Sequence, residues 1–441
     1  MSSPRTSSAV RPTWSRSFAR SRIGCAAHTL VLVALLGACG RAPPDLSLRG
    51  AEEVEAELAA CPVDSAAGPL RIDTVAAGLE VPWDVAFLPD GGALVTERSG
   101  RIRLVDPEGG LRPEPWATLD VYEGDEVGLM GIDVTSTSSS EAAAYVSLTR
   151  RENPSGLLAS LAARVRRRVV RAVDPERGHP VTLEVARLPI RGGEAGPLET
   201  VVEGIPAFPL HGGGALRFGP DGFLYLSNGD GFAPEVAQSP RSLRGKILRY
   251  EADGSVPDGN PQADSPVWAL GVRHSQGLAW SPDGRRMYAI DHGPSGLDSE
   301  GGRTDRDELN VVAAGANLGW PVVTGLTRGG PFTSAIVGWT PALAPAGLAA
   351  WDAADPSHPW AGSLFVTGLR GTSLRRVEVQ SDEDGGSATC GETVLGGDHG
   401  RLRLVRQAPD GTLWVGTSNR DGRGLPREGG DHILRVHPPQ P

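Results

Sequence analysis

Pro220-Asp221-Gly222-Phe223-Leu224-Tyr225-Leu226-Ser227 reads as a tight turn followed by a short apolar strand. Proline presets φ for the bend, aspartate caps it, and glycine takes the positive φ that closes it. The turn recurs at Pro89-Asp90-Gly91, Pro282-Asp283-Gly284 and Pro409-Asp410-Gly411. The strand recurs as Ala93-Leu94-Val95-Thr96, Ala144-Tyr145-Val146-Ser147, Met287-Tyr288-Ala289-Ile290, Leu364-Phe365-Val366-Thr367 and Leu413-Trp414-Val415-Gly416. After most copies comes an alternating strand: Arg101 to Val105, Lys246 to Tyr250, Leu309 to Val312, Leu374 to Val377 and Ile433 to Val436. Alternation implies one buried and one wet face. Six such units predict an all-β, six-bladed β-propeller, with a pair of β-sandwiches as the weaker reading. The spacing is uneven, so the loops differ in length, and loops carry function on such a scaffold.

Composition agrees with this reading. The 441 residues include 59 glycines and 37 prolines, more than a fifth of the chain, which argues against a helical bundle. The formal net charge is −10, which argues against a general nucleic-acid partner. The basic run Arg164 to Arg171 alternates with valine and reads as a strand with a solvated face. Lys246 is the sole lysine, so the arginine content partly reflects composition bias.

The first 38 residues read as an export signal. Arg5, Arg11, Arg16, Arg20 and Arg22 precede an apolar run, Gly24 to Ala38, that is too short for a comfortable membrane span. Leu36-Gly37-Ala38-Cys39 resembles a bacterial lipobox, with an ordinary cleavage site as the alternative. Residues 1–38 are thus expected to leave as a lipoprotein signal peptide, with 39–68 a tether bearing a short helix and 69–441 the propeller. Loss of five arginines and no acid moves the charge from −10 to −15. The mature protein is expected to be periplasmic or on the cell surface, touching membrane only through lipid on Cys39. Cys61 and Cys390 could then pair in an oxidising compartment.

His211-Gly212-Gly213-Gly214 has the look of an esterase oxyanion loop, but no Gly-x-Ser-x-Gly elbow accompanies it. Walker-type and His-Glu-x-x-His patterns are also missing from the sequence. Polar residues remain at the strand ends: His211, Asp230, Arg273, His274, Asp291, Asp307, Glu308, Arg370, Arg401 and Arg403. A propeller would converge them around its axis. A histidine beside a carboxylate and an arginine can remove a proton and stabilise an oxyanion. Several inward arginines suit a ligand with more than one carboxylate. Each residue alone would serve equally as a turn or blade-packing group.

The ordered motifs resemble the soluble quinoprotein glucose/aldose sugar dehydrogenases, which use pyrroloquinoline quinone (PQQ). The carriers are His211-Gly212-Gly213, Gly229-Asp230-Gly231, Gly245-Lys246-Ile247-Leu248-Arg249, Gly271-Val272-Arg273-His274-Ser275-Gln276-Gly277, Asp291-His292-Gly293-Pro294, Asp307-Glu308-Leu309-Asn310 and Asn317-Leu318-Gly319-Trp320-Pro321. The resemblance runs from about Gly78 to Arg435.

It implies oxidation of an aldose at C1 to the lactone, with the hydride passing to C5 of PQQ and an external acceptor taking the electrons. His211 is implied as general base, Asp230 as its orienting carboxylate, and Arg273 as the group that polarises the quinone. Glu126, His211, Arg273, His274, Arg370, Arg401 and Arg403 are implied in cofactor binding. The carbonyls of Gly293 and Pro294 are implied as calcium ligands, suited to a hard cation. There are four departures. Gly212 and His274 stand where the family has asparagine, Asp291 where it has glutamate, and Leu404 where an aspartate is common. The alternatives left open are a catalytically degenerate extracellular propeller that binds a sugar or partner, and a calcium-dependent lactonase-like propeller.

Overall fold

A computed structural model describes residues 52–54, 70–138, 141–151, 181–296, 300, 303–353, 355–380 and 386–439. The expected leader, the lipobox cysteine, Cys61 and the basic run 164–171 lie outside them.

Six antiparallel sheets form the propeller. Blade 1 is Pro82–Phe87, Ala93–Glu97, Arg101–Val105 and Ala117–Thr118. Blade 2 is Leu129–Ser138, Glu141–Arg151, Val181–Arg191 and Glu199–Ala207, with the two-residue Glu194–Ala195 on its edge. Blade 3 is Leu216–Phe218, Leu224–Asn228, Lys246–Tyr250 and Val267–Leu270. Blade 4 is Gly277–Trp280, Met287–Asp291, Asp307–Val312 and Val337–Trp339. Blade 5 is Pro345–Ala350, Ser363–Gly368, Ser373–Gln380 and Ser387–Leu395. Blade 6 takes Leu402–Gln407, Leu413–Thr417 and Asp431–Val436 from the end of the propeller and Ile72–Leu79 from its start. Ile72 pairs with Val436 and Leu79 with Asp431, so ladder hydrogen bonds close the ring.

Each recurring apolar strand is the second of its blade. In all four Pro-Asp-Gly turns the glycine has positive φ, from 71° at Gly284 to 91° at Gly91. In each, an aspartate Oδ1 accepts an N–H two residues on, for example Asp410 from Thr412 at 3.0 Å. The turns mark one end of the second strands. The other ends run into Asp230, Gly293 and Asp421, so the polar residues gather on the opposite face.

The alternating third strands differ from expectation. Lys246–Tyr250 is buried on both faces, because each blade is covered by a neighbour on either side. Leu224, Leu226 and Leu248 are fully buried against Leu183 and Val185 of blade 2. Each such side chain contributes about 1.5–3 kcal/mol. The polar members find internal partners instead of water. Lys246 Nζ donates to the carbonyls of Val236, Ala237 and Arg244 at 2.8–3.0 Å, and burial pushes its pKa down to about 7. Arg249 lies over the rings of Phe223 and Trp268 and pairs with Asp221.

Part of the expected tether is also ordered differently. Glu52–Val54 forms a strand paired with Leu326–Arg328. Cys390 is disulfide-bonded, and its partner lies outside the described residues. No helix among the described residues is long and apolar enough to cross a membrane.

Candidate active site

His211 sits on the link from blade 2 to blade 3 with φ +52°, a left-handed conformation that costs energy for a side chain with a Cβ. Its N–H donates to Glu126 Oε2 at 2.8 Å, which helps hold that geometry. Its Nδ1 is 2.8 Å from Asp230 Oδ1. An ionised carboxylate only accepts, so Nδ1 carries a proton, which leaves Nε2 as the nitrogen that can act as acceptor. Nε2 makes no hydrogen bond among the described residues. Asp230 is fully buried, and also accepts from Trp320 Nε1 at 2.8 Å and the Phe232 N–H at 2.9 Å. Burial would raise its pKa, but the His211 hydrogen bond, nearby positive charge and Trp320 hold it below the usual carboxylate value. Phe232 stacks on the imidazole at 4.3 Å, which fixes the ring plane.

Arg273 and His274 follow the last strand of blade 3. Their backbone N–H groups donate to Asp291 at 2.7 and 2.6 Å, and burial pushes this carboxyl up to about 7. The Arg273 guanidinium is buried. Nε donates to Glu300 at 2.7 Å and Nη2 to Ser295 Oγ at 2.8 Å. Nη1 makes no hydrogen bond among the described residues.

His274 Nδ1 accepts the Gly213 N–H at 3.2 Å, and its Nε2 lies 2.6 Å from Gln276 Nε2 and 3.4 Å from Glu126 Oε2. Burial holds its pKa well below 6.5, so the ring is neutral. The glycine at 212 has a steric cause, since a Cβ there would lie 2.2 Å from Val127 Cγ1. Leu404 points into a hydrophobic cluster with Val85, Val95 and Ile433.

Blade 6 supplies the cations. Arg401 Nε and Arg403 Nη2 donate to one oxygen of Asp421, at 2.8 and 3.2 Å. Arg403 also donates to Ser418 and Gln276 and lies over Trp83, 4.1 Å from its ring centre. Arg423 donates to Glu126 Oε1 at 2.5 Å. Three guanidinium groups therefore share two carboxylates. Burial pushes Arg403 down to about 10 despite Asp421. This excess positive charge suits a ligand bearing carboxylates. The near-parallel rings of Phe232, His211 and His274 suit a flat one.

Gly293 and Pro294 are buried, and the Gly293 carbonyl oxygen accepts no hydrogen bond among the described residues. Buried carbonyls without donors are suited to a hard cation. The Gly293 N–H donates to Asp307 Oδ1 at 2.8 Å.

The structure thus gathers His211, Asp230, Arg273, His274, Glu126, Arg401 and Arg403. It leaves Arg370 exposed, 3.7 Å from Asp305. Sequence reasoning missed Asp421, Arg423, Glu300 and Gln276. Asp421 had a signal, since it follows the second strand of blade 6 as Asp230 follows that of blade 3. Arg423 had none beyond an arginine-rich composition.

A model of the family described as glucose/sorbosone dehydrogenase matches residues 79–427. The aldose sugar dehydrogenase of Escherichia coli is 26% identical over 378 residues, 80% of this chain and 91% of that protein. Quinoprotein glucose dehydrogenase B of Acinetobacter calcoaceticus is 27% identical over 57% of this chain and 52% of its own length. The PQQ-bound aldose sugar dehydrogenase of Streptomyces coelicolor is 31% identical and superposes with a TM-score of 0.68, covering 84% of this chain and 99% of that one.

Proposed function

Because this chain belongs to the glucose/sorbosone dehydrogenase family, we propose that it is a PQQ-dependent dehydrogenase that oxidises an aldose at C1 to the lactone. The single observation that carries the mechanism is the dyad of His211 and buried Asp230, with Nε2 left to accept a proton. PQQ, when bound, supplies the acceptor for the C1 hydride. His211 Nε2 takes the proton of the C1 hydroxyl, and Asp230 stabilises the imidazolium that results. Arg273, fixed through Nε and Nη2, offers Nη1 to a ligand oxygen. Arg401 and Arg403 would hold the cofactor carboxylates, with Glu126 and His274 as further polar contacts for it. Gly293 and Pro294 would hold calcium through their carbonyls. Arg370, which the resemblance implies for the same clamp, lies beside Asp305, and an external acceptor would complete turnover.

The same reading places the enzyme outside the cytoplasm, anchored by lipid on Cys39. The disulfide at Cys390 supports an oxidising compartment.

The test adds PQQ and calcium to the apo protein and follows dye reduction across an aldose panel, with lactone as the product. Sugar binding without turnover would favour a binding propeller. Acid release from a lactone without dye would favour a lactonase. No uptake of PQQ would overturn the enzyme reading.

A further inference from the structure

Glu53 lies on the short strand that precedes the propeller, yet its carboxylate reaches blade 4. It pairs with Arg306 and with Arg303 at 3.3 Å, and accepts the Thr324 N–H at 3.1 Å. Both arginines flank structures that the active site uses. Arg303 donates to the Glu300 carbonyl at 3.4 Å and lies over Trp320, whose indole bonds Asp230. Glu300 is the counter-ion of Arg273.

Asp305 and Arg306 are consecutive non-glycine residues at φ +65° and +63°. Such a turn is strained and persists only where its surroundings hold it. It also backs Gly293 closely, since a Cβ there would lie 2.0 Å from the Asp305 carbonyl oxygen. Asp305 is held by the Ala342 N–H at 3.0 Å, and the Arg306 N–H by the Trp339 carbonyl. Among the described residues, Glu53 grips the Arg306 side chain from outside the ring.

We propose that Glu53 is a positioning residue for the active site. It latches the strained Asp305–Arg306 turn and, through Arg303, the Glu300 and Trp320 supports of Arg273 and Asp230. The pre-propeller strand is then a working part of the site. The catalytic consequence rests on the dehydrogenase reading, whereas the latch itself does not.

The test is hydrogen exchange on the full chain without PQQ, comparing wild type with Glu53→Gln and Glu53→Asp. Loss of two half-exposed ion pairs should speed exchange of amides in Arg303–Asp307 by about three- to tenfold, with blades 1 and 2 unchanged. With PQQ bound, Glu53→Gln should slow single-turnover oxidation of aldose by a similar factor at unchanged KM. Glu53→Asp should recover most of both effects. Unchanged exchange at Arg303–Asp307, or equal acceleration in every blade, would overturn the latch. A wild-type protein that oxidises no aldose would overturn the dehydrogenase reading, and the exchange data would still decide the latch.

Discussion

The two sides of the axial site are built on opposite electrostatic plans. On the His211 side, one buried aspartate takes hydrogen bonds from an imidazole, an indole and a backbone N–H, and the imidazole is stacked on Phe232. Its donors are matched and its geometry is fixed before any ligand arrives. On the Arg403 side, Arg401, Arg403 and Arg423 share Asp421 and Glu126, and burial lowers Arg403 to about 10. That side is cation-rich until an anion completes it. The contrast teaches a division of labour. A preorganised, balanced group is suited to act on a reacting bond, while an unbalanced cluster is suited to hold a charged ligand.

The division can be broken most severely at His211. His211→Ala should lower the single-turnover rate by about 10²–10⁴-fold, the range for a lost positioned base, while PQQ titration stays near wild type. Arg403→Ala should do the reverse. Loss of a charge-assisted donor of about 1.5–3 kcal/mol should weaken PQQ by about 10- to 150-fold in equilibrium titration, with little change in rate at saturation.

Gly212→Asn restores the family residue but drives it into Val127. Overpacking should cost about 1–3 kcal/mol in denaturant unfolding, and Val127→Ala should recover much of it. This would sharpen the comparison by showing that the base loop is set by packing.

The smallest effect is expected at His274, whose ring lies between the two sides, 5.5 Å from the His211 ring and 2.6 Å from Gln276, a partner of Arg403. It is neutral and makes one backbone contact through Nδ1. His274→Asn should change PQQ affinity by less than about threefold, and wild-type affinity should show no titration of this ring near pH 6.5. Its depressed folded pKa has a further consequence. Below the unfolded value of about 6.5 the unfolded chain gains a proton that the folded chain refuses, so stability falls with pH there. Asn at 274 should flatten that part of the stability curve.

Much of the ring was legible because its signals are local. Pro220-Asp221-Gly222 closes by its own φ angles and its own aspartate cap, and the strand after it needs only apolar residues. The wet face expected for Lys246–Tyr250 failed because period-2 alternation cannot reveal that a second blade covers the other side. His211, Asp230, Arg273, Arg401 and Arg403, far apart in sequence, were singled out by their motifs and strand-end positions, and the fold brings them to one face. Asp421 and Glu300 escaped notice because a counter-ion has no required spacing from its arginine. Glu53 escaped because it lies outside the repeat and meets Arg303 and Arg306 only after folding.

The most direct test of the divided site is the cycle of wild type, His211→Ala, Arg403→Ala and the double variant. PQQ affinity and the single-turnover rate with one saturating aldose are read on each. Affinity should follow Arg403 alone, rate should follow His211 alone, and the double variant should show the sum of both losses. A His211→Ala protein that loses PQQ affinity as severely as Arg403→Ala would contradict it.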